Sequence, residues 1–312
     1  MKGLSKYFTF FAQLGSLFEA RFLRPLWNRR PSPETDDWEA VALFLEGYAS
    51  ERQGASPDYH HIATDVINKL ARQRAGLLSK NAPQRAWALF CIYAKNVNLN
   101  YANNPLCPQN TPYVRKTGSA ITYNKSVIEF LHSLSDSGVG SNIVVFARSG
   151  LELDYAKGIH NAIQEINGIG PKIASLFLRD VAIMYDLTPT KDRYLLQPVD
   201  VWVERVFQRL APQKVKNQQG VEPVQRWILK EATRGKVCAE VVNAGMWYFS
   251  SQIVGSNYRL SKALSNLKYA EILVEQYIEA VSQEVAAATM LAQQLKPARE
   301  ALTTNKKGDS RE

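Results

Sequence analysis

The stretch LELDYAKGIHNAIQEINGIGPKIASLFLRDVAIMYDL, residues 151–187, decides the fold that this sequence predicts. Its first part predicts a helix, because apolar residues recur there at the spacing of one helical face. These residues are Leu153, Ala156, Ile159, Ile163 and Ile166. The tetrapeptide that follows, Asn167-Gly168-Ile169-Gly170, predicts a tight turn, since glycine adopts positive φ at low steric cost.

Pro171 predicts the start of a second helix, because its fixed φ and missing N–H suit the first helical turn. The buried face of that helix follows from its apolar spacing. It comprises Ile173, Leu176, Phe177, Val181 and Met184. We therefore expect two helices joined by a glycine hairpin, from Leu153 to Tyr185.

Such a hairpin is suited to binding DNA. The N–H groups of the turn and of the second helix's first turn form an anion site, which holds a phosphate without reading base sequence. The alternative is an ordinary corner between two helices. In the first interpretation the residues that contact DNA are Asn167, Gly168, Ile169, Gly170 and Lys172.

The overall charge favours the same kind of partner. The chain of 312 residues has 38 Lys and Arg against 29 Asp and Glu, which gives a net charge of +9. An excess of this size favours polyanionic partners, nucleic acid first and an anionic membrane surface second. On charge alone, a soluble protein with a modest positive excess is the alternative.

The three cysteines, Cys91, Cys107 and Cys238, are far apart and form no CxxC pair. Their number and spacing favour neither a zinc site nor a disulfide framework, and predict reduced thiols in a cytoplasmic or otherwise intracellular protein. No apolar run approaches the roughly 20 residues that span a bilayer. We therefore expect no membrane partner.

The segment INGIGPKIASLFL, residues 166–178, resembles the hairpin of the HhH-GPD DNA glycosylases, which include endonuclease III and the oxidised-guanine glycosylases. The family's second mark is a loop whose final aspartate starts the next helix. Gln197-Pro198-Val199-Asp200, followed by VWVERVFQRL, is similar to that loop. The resemblance is clear over 153–210 and weaker over 38–67 and 241–255. It implies an all-α, two-lobed helical fold that binds DNA across a cleft.

The resemblance implies a reaction as well as a fold. Lys172 matches the nucleophile of the bifunctional members, which excise a base through a Schiff base and then cut the strand by β-elimination. For this role Lys172 must be neutral part of the time, which partial burial and the helix N-terminus would favour. Asp200 matches the essential aspartate, whose charge stabilises the developing sugar cation.

Each of these two residues has an alternative role. Lys172 could contact only phosphate, either in a monofunctional glycosylase whose aspartate activates water or in a non-catalytic DNA-binding module. Asp200 could be only the N-cap of the helix that follows it. The base itself stays open: an oxidised purine, an oxidised pyrimidine, an alkylated base and a hypermodified base all fit the sequence.

Two features depart from the family pattern. Lys172 and Asp200 are 28 positions apart, more than is usual in the family, and the extra length is the polar segment YDLTPTKDRYLLQ. The four-cysteine motif of many endonuclease III relatives is missing, so we expect no iron–sulfur cluster. The only cofactor that the resemblance implies is K⁺ or Na⁺ on the hairpin carbonyls of Ile166 and Ile169.

Further site residues follow from the resemblance. Trp202 is expected to point toward the cleft and to contact the DNA. The segment NAGMWYFSSQIVG is expected to line the base pocket with Asn243, Trp247, Tyr248 and Gln252. A core position is the alternative for most of these aromatic residues. Arg52 and Gln53 are candidates for a wedge that fills the gap left by the extruded base, with a solvated turn as the alternative.

The rest of the chain is predicted to be helical, except for 96–123, whose many Asn, Pro, Thr and Tyr residues indicate a long irregular segment. We predict a monomer in three parts. These parts are an N-terminal helix and connector over 1–37, a glycosylase-like core over 38–258, and a long final helix with a polar tail over 259–312. The main helices are expected over 7–26, 38–50, 59–70, from Pro83, and over 127–134, 143–147, 221–231, 236–254 and 260–295.

Overall fold

The computed structural model describes residues 2–51, 58–73, 76–95, 103–109, 124–215 and 220–308. Within these ranges every regular element is helical, and the only β-type pairing is an isolated parallel bridge between Lys125 and Ile166. The predicted all-α class is confirmed. Most of the predicted irregular segment 96–123 lies outside the described residues.

The described residues form two compact units, one up to Tyr248 and one from Phe249 onward. The helices of the first unit are α1 (Lys2–Phe18), α2 (Arg24–Asn28), α3 (Asp37–Gly47), α4 (Tyr59–Arg72), α5 (Ala82–Tyr93), α6 (Val127–Asp136), α7 (Ile143–Glu152), α8 (Ala156–Ile163), α9 (Pro171–Met184), α10 (Val201–Leu210), α11 (Pro212–Val215), α12 (Val221–Gly235) and α13 (Ala239–Tyr248).

Side-chain caps explain several of these helix starts. Asp36 accepts hydrogen bonds from the backbone N–H groups of Trp38 and Glu39, and Ser126 forms a reciprocal capping box with Glu129. Capping groups satisfy N–H donors that a helix start leaves unpaired. The predicted starts near residues 37 and 127 are therefore set by local chemistry.

The N-terminal helix is longer than its apolar pattern predicts. Instead of ending near Pro25, the helical path runs from α1 through a π-helical turn at Glu19–Leu23 into α2. Pro25 occupies the first turn of α2, where its missing N–H costs little. The sequence predicts that this helix belongs to a separate N-terminal part over 1–37. In the structure it packs along α13 in the first unit.

The contact between α1 and α13 depends on two glycines. A Cβ added to Gly15 would lie 1.9 Å from the carbonyl oxygen of Val241, and one added to Gly245 would lie 1.8 Å from that of Phe11. Neither position has room for a methyl group. The two helices therefore approach each other backbone to backbone.

Helix α3 lies at the centre of the first unit, where all residues from Ala40 to Leu45 are buried. Phe177 of α9 packs edge-on against Phe44 and Tyr48, with ring centroids 5.1 and 5.0 Å apart. Aromatic side chains prefer such edge-to-face contacts. This packing fixes helix α9, which carries Lys172, against the core.

The second unit contains a π-helical turn at Phe249–Val254, helix α14 (Asn257–Ser265) and helix α15 (Leu267–Gly308). The prediction of one unbroken helix over 260–295 is wrong. Asn266 adopts an extended conformation, and its side chain accepts a hydrogen bond from the N–H of Tyr269, so it ends one helix and starts the next. No helix among the described residues is both long enough and apolar enough to cross a bilayer.

Candidate functional site

The predicted hairpin joins α8 to α9, with Gly168 at φ +78°. A Cβ on Gly168 would lie 1.9 Å from the carbonyl oxygen of Asn103. Both the left-handed conformation and this close approach require glycine. Gly170 has no neighbouring atom within 4 Å of its Cβ position, so this side of the turn is open.

Not every N–H group of the turn is available to an anion. The amide of Asn167 donates to the carbonyl of Lys125 at 2.7 Å, and that of Ile169 donates to Ile166 at 3.1 Å. The amides of Gly168, Gly170 and Lys172 have no acceptor among the described residues. The anion site predicted from the sequence is therefore smaller than expected, since two of its amides are already used. The carbonyl of Ile166, a predicted cation ligand, accepts the bond from Ile169.

His160 links the two helices of the hairpin. Its Nε2 lies 3.2 Å from the carbonyl oxygen of Pro171 and 3.1 Å from Oγ of Ser175, while Nδ1 accepts from the side-chain amide of Gln164 at 3.0 Å. These partners suit a neutral ring with its proton on Nε2. Burial lowers the pKa of His160 below its ordinary value.

A cavity of about 170 Å³ lies along one face of α9. Four residues of this helix line it, and their spacing places them on one stripe. These residues are Lys172, Leu176, Arg179 and Asp180. Asp200 lines the same cavity, so the fold brings the two predicted catalytic residues to one site although 28 positions separate them.

Lys172 is exposed, so the expected partial burial of its amine is not found. Its side chain makes no hydrogen bond or ion pair with any described residue. The amine of Lys172 therefore stands at the edge of the cavity, available to a ligand.

Asp200 is the N-cap of α10. Its Oδ1 accepts hydrogen bonds from the amides of Trp202 and Val203, both at 2.9 Å. Its other oxygen has no hydrogen-bond partner within the described part of the chain. The capping role therefore holds the carboxylate in place and leaves one oxygen for the cavity.

The floor of the cavity is a buried ion pair. The guanidinium of Arg179 donates to Oδ1 of Asp180 through Nε at 2.8 Å and through a terminal nitrogen at 2.7 Å. Burial raises the pKa of the Asp180 carboxyl above its ordinary value, and Arg179 and Tyr48 offset only part of that rise. Beneath the pair, the indole of Trp27 donates to the hydroxyl of Tyr48 at 3.0 Å.

The loop that ends in Asp200 is held from below by buried side chains. Glu240 accepts a hydrogen bond from the side-chain amide of Gln197 at 3.1 Å and pairs with Arg193 at 2.6 Å. Gln225 donates to the backbone carbonyl of Gln197 at 3.0 Å. Glu240, Gln197 and Gln225 are buried, and Arg193 is half-buried. Hydrogen bonds between buried groups are strong, so they fix the loop.

Asn243 joins this loop to the cavity floor. Its side-chain oxygen accepts from Arg179 at 3.1 Å, and its side-chain nitrogen donates to the carbonyl of Pro198 at 3.0 Å. The two partners fix the orientation of the amide, because a guanidinium only donates and a peptide carbonyl only accepts. Asn243 lines the cavity, and both ends of its amide are already bonded within the protein.

Of the other residues predicted from the resemblance, some line the cavity and some do not. Trp247 lines the cavity, whereas Tyr248 is buried beside it and accepts a hydrogen bond from Arg21 at 3.3 Å. Trp202 does not line the cavity, and the guanidinium of Arg205 lies 4.7 Å from its ring centroid. Gln252 is an exposed residue of the second unit.

The predicted wedge residues, Arg52 and Gln53, lie outside the described residues. Sequence reasoning missed the floor pair and the aromatic residues that the N-terminal helix supplies. A signal for the floor was present, since Arg179 and Asp180 fall seven and eight positions after Lys172 in an otherwise apolar helix. Within the described ranges no three His, Cys, Asp or Glu residues are grouped so as to hold a metal ion.

Comparison with known proteins gives one relative of unknown role. The chain is 26% identical over 227 residues to an uncharacterized protein of Methanocaldococcus jannaschii, an alignment that covers 67% of this chain and 50% of the relative. The chain thus spans about half the length of the curated relative that it matches. No family model matches the chain, and no solved structure matches it.

Proposed function

We propose that this protein is a DNA glycosylase of the HhH-GPD type, which excises a damaged or modified base and then cuts the strand through a lysine Schiff base. The observation that carries the proposal is that Lys172 and Asp200 line one cavity. The resemblance selected these residues from two separate motifs, and nothing in local sequence spacing requires them to meet. Capping α10 uses one oxygen of Asp200 and leaves the other for a second role in the cavity.

The hairpin supports the same proposal. The unpaired amides of Gly170 and Lys172 lie at the start of α9, where the helix dipole favours an anion, and that of Gly168 lies in the turn before it. A phosphate bound there would place the adjoining sugar near the amine of Lys172. This contact would be independent of base sequence.

The proposed chemistry uses two side chains. The neutral amine of Lys172 forms a bond to C1′ of the sugar, while the glycosidic bond breaks and its electron pair leaves on the base, which takes up a proton. The carboxylate of Asp200 stabilises the cationic sugar and accepts the proton that the amine loses. The sugar ring opens as the C1′–O4′ bond breaks: the nitrogen lone pair forms the Schiff base, and O4′ takes up the proton held by Asp200. The Asp200 carboxylate then removes a C2′ proton, and the electron pair of that C–H bond expels the 3′ phosphate.

Borohydride trapping tests this proposal directly, because reduction fixes the Schiff base as a covalent adduct. The probes are duplexes with an abasic site, oxidised guanine, oxidised cytosine, ethenoadenine or hydroxymethyluracil. We expect wild type to form an adduct with the abasic duplex and with at least one modified base. Lys172→Gln is expected to abolish the adduct, and Asp200→Asn to slow its formation by at least roughly a hundredfold.

Lys230→Gln is the matched control, since Lys230 is an exposed lysine that does not line the cavity. If adducts are absent but alkali reveals abasic sites, the protein is a monofunctional glycosylase that uses Asp200 to activate water. If wild type binds DNA but shows neither reaction on any probe, the proposal fails in favour of a binding module.

A further inference from the structure

The N-terminal helix forms one wall of the cavity. Phe18 lies immediately before the π-helical turn at Glu19–Leu23, Phe22 lies within that turn, and both line the cavity. Their rings are stacked, with centroids 5.8 Å apart and 24° between the planes. Turns of π-helix often occur at functional sites, and this one lies where the helix meets the cavity.

The two rings of this wall lie at different depths in the cavity. The guanidinium of Arg179 lies 5.6 Å from the ring centroid of Phe18, so Phe18 is level with the floor. Phe22, stacked on Phe18, is 40% exposed and so continues the wall toward solvent. Tyr248 packs edge-on against the ring of Phe22 at 5.5 Å, and the guanidinium of Arg21 lies 5.3 Å from the centroid of the same ring. The surface of Phe22 that these neighbours leave exposed is the part that a ligand can contact.

Helix α9 also lines the cavity, and the spacing of its residues gives a length for the site. Lys172 and Arg179 are seven residues apart on one stripe, which corresponds to about 10 Å along the helix axis. Leu176 is the lining residue between them. A ligand whose reacting atom meets Lys172 can therefore extend inward to the Arg179–Asp180 pair, with aromatic rings along its side.

We propose that Phe18 and Phe22 form the stacking surface for the extruded nucleobase, with the edge of the base directed at the Arg179–Asp180 floor. This inference rests on the proposed function and names the part of the site that binds the base. A cavity of about 150 Å³ holds one benzene-sized ring, so the volume of about 170 Å³ suits a flat heteroaromatic ligand. Base–aromatic stacking tolerates any base identity, because every base has a π-face.

The test separates base binding from sugar chemistry. A duplex with an abasic site has the sugar that Lys172 attacks but no base to stack. We expect Phe22→Leu to slow release of the modified base by about tenfold and to leave trapping on the abasic duplex within about twofold of wild type. Phe22 is partly exposed, so the variant is expected to fold, and thermal unfolding checks this.

Tyr258→Leu serves as the control, since Tyr258 is 80% exposed and does not line the cavity. A second readout uses fluorescent aminopurine at the target position of a duplex. Because stacking quenches its emission, we expect the bound complex of Phe22→Leu to emit more than that of wild type, with Tyr258→Leu unchanged.

Two results would overturn the inference while leaving the proposed function intact. In one, Phe22→Leu slows base release and abasic trapping equally, so that it acts through Lys172 rather than on the base. In the other, it changes neither base release nor aminopurine emission. Failure of the proposed function looks different, since wild type would then trap no abasic duplex.

Discussion

At the scale of single residues, Asn243 connects Arg179 to the carbonyl of Pro198 through two hydrogen bonds. We predict that Asn243→Asp keeps the contact with Arg179, because a carboxylate accepts from a guanidinium, but loses the donation to the carbonyl of Pro198. That carbonyl precedes Asp200 by two positions, so trapping on an abasic duplex should slow. Asn243→Ala removes the partner of one terminal nitrogen of Arg179 and the partner of the Pro198 carbonyl, and should cost about 1–3 kcal/mol of unfolding free energy for each bond. Arg179 keeps its bonds to Asp180 in this variant.

The measurements are urea unfolding and the rate of borohydride trapping. Asn257→Asp is the control, since Asn257 is an exposed asparagine elsewhere in the chain. Trapping by Asn243→Asp at the wild-type rate would show that this bridge does not position Asp200.

His160 predicts a dependence of stability on pH. Burial lowers its pKa in the folded state, so the unfolded chain binds a proton more readily than the fold does. The stabilisation from the neutral ring is therefore complete above the unfolded value of about 6.5 and is lost as the pH falls below it. Protonation of Nδ1 also removes the acceptor for Gln164.

We expect the unfolding free energy of wild type to decrease between about pH 6.5 and 5, and that of His160→Gln to decrease less. His61→Gln, at an exposed histidine, should follow wild type. Parallel curves for wild type and His160→Gln would contradict the assignment of a neutral buried ring.

At the scale of elements, the close contact of α1 with α13 is the most sensitive feature. Gly15→Ala and Gly245→Ala would each force the two backbones apart, because the new methyl would lie within 2 Å of a carbonyl oxygen. Overpacking of this kind costs about 1–3 kcal/mol. Gly235→Ala, whose methyl would meet its nearest neighbour at 3.6 Å, is the matched helix control.

Urea unfolding of the three variants tests this packing. Unfolding free energies of Gly15→Ala and Gly245→Ala that stay close to that of Gly235→Ala would contradict it. Since α1 leads directly into the wall formed by Phe18 and Phe22, we also expect the two disruptive variants to lose base release before they lose DNA binding.

Local patterns predict the hairpin well, because its chemistry is local. Paired glycines, the proline after them and the apolar stripes lie within one stretch, and α9 begins at Pro171 as predicted. The prediction for Leu153 is wrong: the pattern places it on the buried face of the first helix, but it ends α7 and is 78% exposed, and α8 begins only at Ala156. The apolar periodicity of 260–295 did not predict the break at Asn266, where a single residue leaves the helical conformation inside a long helical sequence. Apolar periodicity is judged over many residues, so it does not detect a single residue that leaves the helix.

At the scale of the whole molecule, the site depends on contacts between distant segments, which spacing cannot predict. The sequence selected Lys172 and Asp200 by motif but assigned the N-terminal helix to a part of its own, and that helix supplies Phe18 and Phe22. From the sequence, the polar segment between the two predicted catalytic residues is interpreted as an insertion. In the fold, Thr190 of this segment donates hydrogen bonds to Asp154, and Arg193 forms an ion pair with Glu240.

The bridge through Asn243 has a consequence for how this protein can change over generations. One amide links the floor that would sort ligands to the loop that would set the speed of the reaction. In the proposed enzyme, a mutation at Arg179 that changes which ligand binds would also disturb Asp200 through the same side chain. Selectivity and turnover would then evolve together, and a variant that changed the first would need a second mutation to restore the other.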